Sequence, residues 1–330
     1  MRSLWRGIGR TALVIIGLFV LAWAFSADDP VERKLTFDES LLPESSGDLP
    51  AWLAQQELHF SDIRPGDAKQ IVWAGQPGQE TPLAVVYLHG FSAGPWEIRP
   101  VPDQIAKALG ANLFFARLTG HGRTGEAMAE ATAGDWLADT AEALAIGRRL
   151  GDRVLVIATS TGGTLAAVAA TEPALAQDMA GIVLISPNFG LRRWEAVLLQ
   201  MPFVQVWGPW LVGRELGFDP VSAANAAHWT TRYPTRAVFP MSALVNYARR
   251  LDYSGAKVPL LVLISPQDQV VSPDRTRAVL AGWGGPVQIE ERAMEPGDDA
   301  YGHILAGDIL SPDQTAPVVG LVLNWVRGLE

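Results

Sequence analysis

The chain contains no cysteine. That excludes disulfides, thiolate metal sites and a cysteine nucleophile. It also suits an oxidising compartment. Basic residues are scarce as well. There are 26 Lys and Arg against 35 Asp and Glu, a formal net charge of -9. Phosphate backbones are bound by clustered Lys and Arg, and the body of the chain has no such cluster. Nucleic acid is therefore not an expected partner. Histidine occurs at only five positions: His59, His89, His121, His228 and His303. The search for a catalytic base is correspondingly short. Internal repeats and low-complexity runs are absent, and a long uncharged apolar run occurs once, near the N-terminus.

What remains is a globular composition. Over 330 residues, 48% are hydrophobic and 18% charged, enough to bury a sizeable core without staples. The apolar run occupies residues 11–27, behind Arg2, Arg6 and Arg10. As a helix it would span about 26 Å at 1.5 Å per residue, at the short end of what crosses a bilayer. It reads as an uncleaved signal anchor. Cleavage after Ser26, with Ala24 and Ser26 at the small-residue positions, is the alternative. Either way the positive flank stays in the cytoplasm and the rest goes outside. The expected location is a membrane-anchored domain outside the cytoplasm, periplasmic in a bacterium, or a secreted one after cleavage. Residues 28–50 hold Pro30, Pro43 and Pro50 and read as a linker, loosest at Ser45, Ser46 and Gly47. Residues 51–330 read as the functional domain.

Along that domain, short runs rich in Val, Ile and Leu alternate with helical stretches. Strands are expected at 83–90, 112–118, 153–160, 181–187, 259–266 and 287–293. Helices are expected at 100–109, at 135–150, directly after Ser160, and after Ser272 and Pro273. This is an α/β pattern, a mostly parallel sheet with helices on both faces. Residues 58–75 are expected to add one or two antiparallel strands at the edge. Residues 188–255 break the rhythm. They show no strand pattern and are too long for a plain crossover. They hold Trp194, Trp207, Trp210, Trp229, Met201 and Met241. They read as a helical cap over the C-terminal edge of the sheet.

The strongest chemical signal is RVLVIATSTGGTLAAVAA, residues 153–170. A buried strand ends at Ser160 and a helix of small residues begins at once. A nucleophile elbow needs this layout, with small residues two before and two after the serine. Here they are Ala158 and Gly162; alanine replaces the more usual first glycine. A serine needs a base to take its proton and an acid to orient that base. In an elbow of this kind the chain order is serine, acid, histidine. Only His228 and His303 follow Ser160, and His228 falls in the expected cap. His303 is therefore the candidate base. Asp268 sits just past the strand at 259–266 and is the candidate acid, with Asp298 and Asp299 as competitors. The backbone amides of Phe91 and Thr161 are the candidate donors to an oxyanion. His89 reads as a structural residue that hydrogen-bonds a loop beside Gly90. Glu97 reads as an ordinary surface or helix-start carboxylate, with a polar substrate group as the alternative partner.

LHGF (88–91), GHGRT (120–124), ATSTGG (158–163), SPQDQVV (265–271) and YGHI (301–304) together resemble the α/β-hydrolase superfamily. The branch they look most like is monoacylglycerol-lipase-like and serine-aminopeptidase-like, with a helical cap. The likeness covers roughly residues 80–330. It implies an α/β-hydrolase fold and a serine hydrolase with no metal and no cofactor. The implied substrate is a small-molecule or lipid-like carboxylic ester, as for a carboxylesterase or monoacylglycerol lipase. It also makes GHGRT, with His121, a loop at the pocket mouth. Three readings stay open beside it: a peptidase or amidase with the same triad, a non-catalytic ligand-binding relative, and a membrane-anchored interaction protein.

Overall fold

The computed structural model describes residues 31–329 together with Gly17. The run expected as an anchor, residues 11–27, lies outside the described residues apart from Gly17. Among the described residues no helix is long and apolar enough to cross a membrane.

Among the described residues nine strands form: β1 (Gln70–Val72), β2 (Thr81–Leu88), β3 (Asn112–Phe115), β4 (Gly151–Thr159), β5 (Met179–Ile185), β6 (Glu215–Gly217), β7 (Arg232–Pro234), β8 (Leu260–Ile264) and β9 (Val287–Glu291). Seven make one sheet in the order β1-β3-β2-β4-β5-β8-β9. All its pairings are parallel except β1 with β3. β1 is thus the antiparallel edge strand expected within 58–75.

Successive side chains on a strand point to opposite faces, and both faces here are covered. Val86, Val156, Leu184 and Val262 pack on one side with Trp136, Leu144, Leu165 and Leu244. Those four come from helices Ala133–Leu150, Thr161–Ala169 and Val238–Arg249. Val85, Leu155, Val183 and Leu261 pack on the other side with Ile105, Val318 and Val322, from helices Val101–Leu109 and Pro312–Arg327. Strands buried on both faces become continuous apolar runs, which is the pattern the sequence carries. Helix Ala133–Leu150 starts from a capping box between Thr132 and Asp135, which satisfies amides that have no acceptor inside the helix.

The segment expected as a linker is laid along this body. Leu35 and Leu42 are buried in the same core as Leu137 and Leu144 of helix Ala133–Leu150. Ser46 Oγ donates to Arg149 O at 2.7 Å, and Lys34 pairs with Asp135 at 3.1 Å.

Between β5 and β8 the chain does not form helices alone, as the sequence led us to expect. β6 and β7 pair antiparallel, Leu216 opposite Tyr233. Strands of three residues give no alternation to read. The pairing also depends on Gly217, where a Cβ would stand 2.1 Å from Thr231 O. Helix Val238–Arg249, the last of the stretch expected as a cap, belongs instead to the layer over the sheet. Its Met241, Leu244 and Ala248 share the core of Trp136. Helix Val204–Val212 presents Val206, Trp210 and Leu211 to solvent, Trp210 with 83% of its surface exposed.

Candidate active site

Ser160 sits between the end of β4 and helix Thr161–Ala169, with φ 50° and ψ -115°. A positive φ is strained for any residue with a Cβ and persists only where the surroundings impose it. Here the neighbouring chain imposes it. The Ser160 amide donates to Ile185 O at 2.9 Å, and Ser160 O accepts from Asn188 N at 3.0 Å and Thr164 N at 3.2 Å. The helix leaving the turn passes across the end of β2. A Cβ on Gly162 would be 2.2 Å from Leu88 O and 2.7 Å from His89 O. Gly162→Ala must push helix and strand apart. It is expected to destabilise the fold by about 1–3 kcal/mol, as overpacking does, and to displace Ser160. Denaturant unfolding alongside ester turnover measures both.

The structure brings the three sequence-predicted residues together. His303 Nε2 is 3.0 Å from Ser160 Oγ, and His303 Nδ1 is 2.8 Å from Asp268 Oδ2. The network assigns the tautomer. Nδ1–H donates to Asp268, which leaves Nε2 to accept from the serine hydroxyl. Asp268 Oδ1 accepts from the amides of Val270 at 2.7 Å and Val271 at 2.9 Å, so only Oδ2 faces the ring. All three residues are buried. Burial works against charge on the His303 ring. The charge and hydrogen bond of Asp268, with the charges of Glu97 and Asp299, outweigh it and raise the imidazole above its ordinary value. The competing carboxylates serve the backbone instead. Asp299 Oδ2 accepts from the His303 amide at 2.8 Å and the Ile304 amide at 3.0 Å. Asp298 Oδ2 accepts from the Glu295 amide at 2.8 Å and Gln314 Nε2 at 2.9 Å.

The two candidate oxyanion donors lie in turns that adjoin the serine. Thr161 opens its helix, so its amide has no acceptor inside it. Phe91 follows Gly90, and a Cβ on Gly90 would be 3.0 Å from Ser160 Cβ. The Phe91 ring is fixed edge-on against His121 at 5.8 Å and Tyr233 at 5.3 Å.

The other histidines have different employment. His89 Nδ1–H donates to Gly90 O at 2.8 Å, and its Nε2 accepts from Leu118 N at 3.1 Å. Burial pushes it down to about 4, so it is a neutral loop tie, as expected. His121 is buried beside it, with ring centroids 5.0 Å apart, and burial holds it well below the usual imidazole range. His228 meets Asp67 at 2.9 Å and stacks on Trp96 at 4.8 Å. His59 is exposed.

Glu97 corrects the sequence reading. It is no surface carboxylate but 2% exposed. Its Oε2 accepts from Tyr87 Oη–H at 2.7 Å and from the Gly90 amide at 2.8 Å. A signal was present. Tyr87 interrupts an otherwise aliphatic buried run, and a buried phenol needs a hydrogen-bond partner.

Comparison with known proteins bears on what this geometry does. The sequence profile of the alpha/beta hydrolase family matches residues 85–316. A curated relative, the thermostable monoacylglycerol lipase of Bacillus sp. (strain H-257), is 28% identical over 206 residues, 61% of this chain and 76% of the relative. Among solved structures, a chain from work on LipS and LipT, two metagenome-derived lipolytic enzymes, aligns with a TM-score of 0.65 at 22% identity. It covers 81% of this chain and 99% of its own. The monoacylglycerol lipase of Paleococcus ferrophilus aligns with a TM-score of 0.55 at 14% identity, over 79% of this chain and 98% of its own. At these identities the structural likeness is one of fold.

Proposed function

The chain belongs to the alpha/beta hydrolase family, and from that premise we propose that it is a serine hydrolase of carboxylic esters, acting through Ser160, His303 and Asp268. One observation carries the reading. The His303 ring bridges Asp268 and Ser160 with hydrogen bonds of 2.8 Å and 3.0 Å. Ser160 Oγ attacks the ester carbonyl as its proton passes to His303 Nε2. Asp268 holds the tautomer and stabilises the imidazolium. The amides of Phe91 and Thr161 receive the oxyanion. The protonated ring gives its proton to the departing alkoxide. Water then enters and bonds the acyl carbon as His303 takes its proton; the bond to Ser160 Oγ breaks, His303 returns the proton to Oγ, and the acid leaves.

The substrate class proposed is a lipid-like ester such as a monoacylglycerol. The name of the 28% identical relative supports this. So does the exposed apolar face of helix Val204–Val212, since contiguous exposed apolar residues mark lipid or partner contact. Residues 11–27, behind their three arginines, anchor the chain in a membrane and leave the catalytic domain outside the cytoplasm, on the periplasmic side in a bacterium.

The test is turnover of p-nitrophenyl esters of rising chain length, and of monoacylglycerols in vesicles, by the full chain. The expected result is hydrolysis of the series, with medium and long chains preferred. A folded chain that turns over none of them overturns the reading. The pH profile gives a second check. The reaction needs neutral His303, and its proton is held more tightly than a free imidazole's. The rate should therefore fall on acidification through a midpoint above 6.5, the ordinary value; a midpoint below 6.5 contradicts this.

A further inference from the structure

Glu97 lies in the loop between β2 and helix Val101–Leu109. Two donors converge on its Oε2, from Tyr87 at 2.7 Å and Gly90 at 2.8 Å. They fix the carboxyl group in place. Its Oε1 lies toward Gly90. A Cβ built there would be 2.6 Å from Oε1 and 3.0 Å from Ser160 Cβ. A bare glycine thus separates this carboxyl group from the seryl side chain. The same loop rests on the segment that carries His303. A Cβ on Gly307 would be 2.7 Å from Ile98 Cα and 3.2 Å from Glu97 O. The Asp308 amide donates to Arg99 O at 2.9 Å. Glu97 is therefore wedged between the Gly90 turn and the histidine loop.

A buried carboxyl group is expensive to ionise unless a cation compensates it. Among the described residues no Lys or Arg pairs with Glu97. The cation within its influence is transient, the His303 imidazolium. Each group favours the charged form of the other.

We propose that Glu97 is a positioning residue for the reaction at Ser160, pinning the Gly90 amide and the Phe91 turn behind it and lending a second carboxylate to His303 when the ring takes the serine proton. Glu97 neither gives nor receives that proton, which moves from Ser160 Oγ to His303 Nε2. The proposal rests on the serine-hydrolase reading above. Burial brings Glu97 up to about 7, against the opposing pull of the Gly90 amide, the Tyr87 hydroxyl and His303. The charged groups acting on His303 are Asp268, Glu97 and Asp299. Asp268 and Asp299 are held by backbone amides.

Glu97→Gln keeps an oxygen that can accept from both Tyr87 and Gly90 while removing the charge. The test is an NMR titration of the His303 ring in the full chain, wild type and Glu97→Gln, with kcat/KM on a soluble p-nitrophenyl ester across the same pH range. The expected result is a His303 titration lowered by about 0.5–1 pH unit, as loss of a nearby opposite charge produces. The acid limb of kcat/KM moves with it, and the rate at pH 7 falls about 5- to 20-fold. Unchanged titration and rate in a folded Glu97→Gln would leave the residue structural only and overturn the proposal. A wild type that cleaves no ester defeats the hydrolase reading, yet the His303 titration still decides whether Glu97 acts on the ring. If Glu97→Gln does not fold, Tyr87→Phe carries the test. It removes one of the two donors on Oε2 and leaves the Gly90 amide, makes Glu97 harder to ionise and should lower the acid limb by a smaller amount. An unmoved limb overturns the proposal there too.

Discussion

Ser160→Ala is expected to lower ester turnover by about 10⁴- to 10⁶-fold while leaving the fold intact, the scale seen when a hydrolase loses its nucleophile. The substitution removes one hydroxyl from a site that stays otherwise complete. His303 remains bound to Asp268 at 2.8 Å, and the turn remains held by Ile185 O and the Asn188 and Thr164 amides. Alanine has the same Cβ as serine, so the strain at φ 50° does not change. Unfolding by denaturant should accordingly match wild type within about 1 kcal/mol, the range of substitutions that break no special feature. Substrate affinity should survive, because no other side chain of the site is altered. A variant that stays folded and keeps more than a few per cent of the activity contradicts the role given to Ser160.

Asp268→Asn should be nearly as severe, about 10⁴-fold in kcat, for a subtler reason. Oδ1 of Asp268 accepts from the Val270 and Val271 amides. An asparagine keeps its oxygen on those two donors and turns its NH₂ toward His303. That group can only donate. The ring must then accept at Nδ1 and carry its proton on Nε2, the nitrogen that faces Ser160 at 3.0 Å. A protonated Nε2 cannot take the serine proton. The defect is one of tautomer, so the variant should fold normally and lose kcat rather than substrate binding. Raised pH should recover part of the rate, since hydroxide can do some of the base's work. Loss of KM alone, with kcat preserved, would argue that Asp268 is structural.

The legible parts of this molecule are those where one physical demand dominates. β2, β4, β5 and β8 are buried on both faces, and such strands have little choice but Val, Ile and Leu. Ser160, Gly162 and the start of the following helix are legible because a tight elbow admits few residues. His303 is identified largely because histidine is so rare here. What escaped depends on contacts distant in sequence. Leu35 and Leu42 lie in a mostly polar stretch, and nothing nearby says that they will join the core of helix Ala133–Leu150. β6 and β7 are too short to alternate. Helix Val238–Arg249 follows the same aromatic-rich stretch as the cap, and composition alone does not divide the two. Glu97 looked solvated because most glutamates are. Its burial is decided by Tyr87 and Gly90, which meet it only after folding.

The central claim is that Ser160 is an activated nucleophile. It is tested most directly by treating the full chain with a fluorophosphonate and locating the adduct by peptide mass mapping. The account predicts one adduct per chain, on the peptide containing Ser160, absent from Ser160→Ala and slow to form in Asp268→Asn. A folded wild-type chain that remains unmodified, or carries its adduct on another residue, would contradict it.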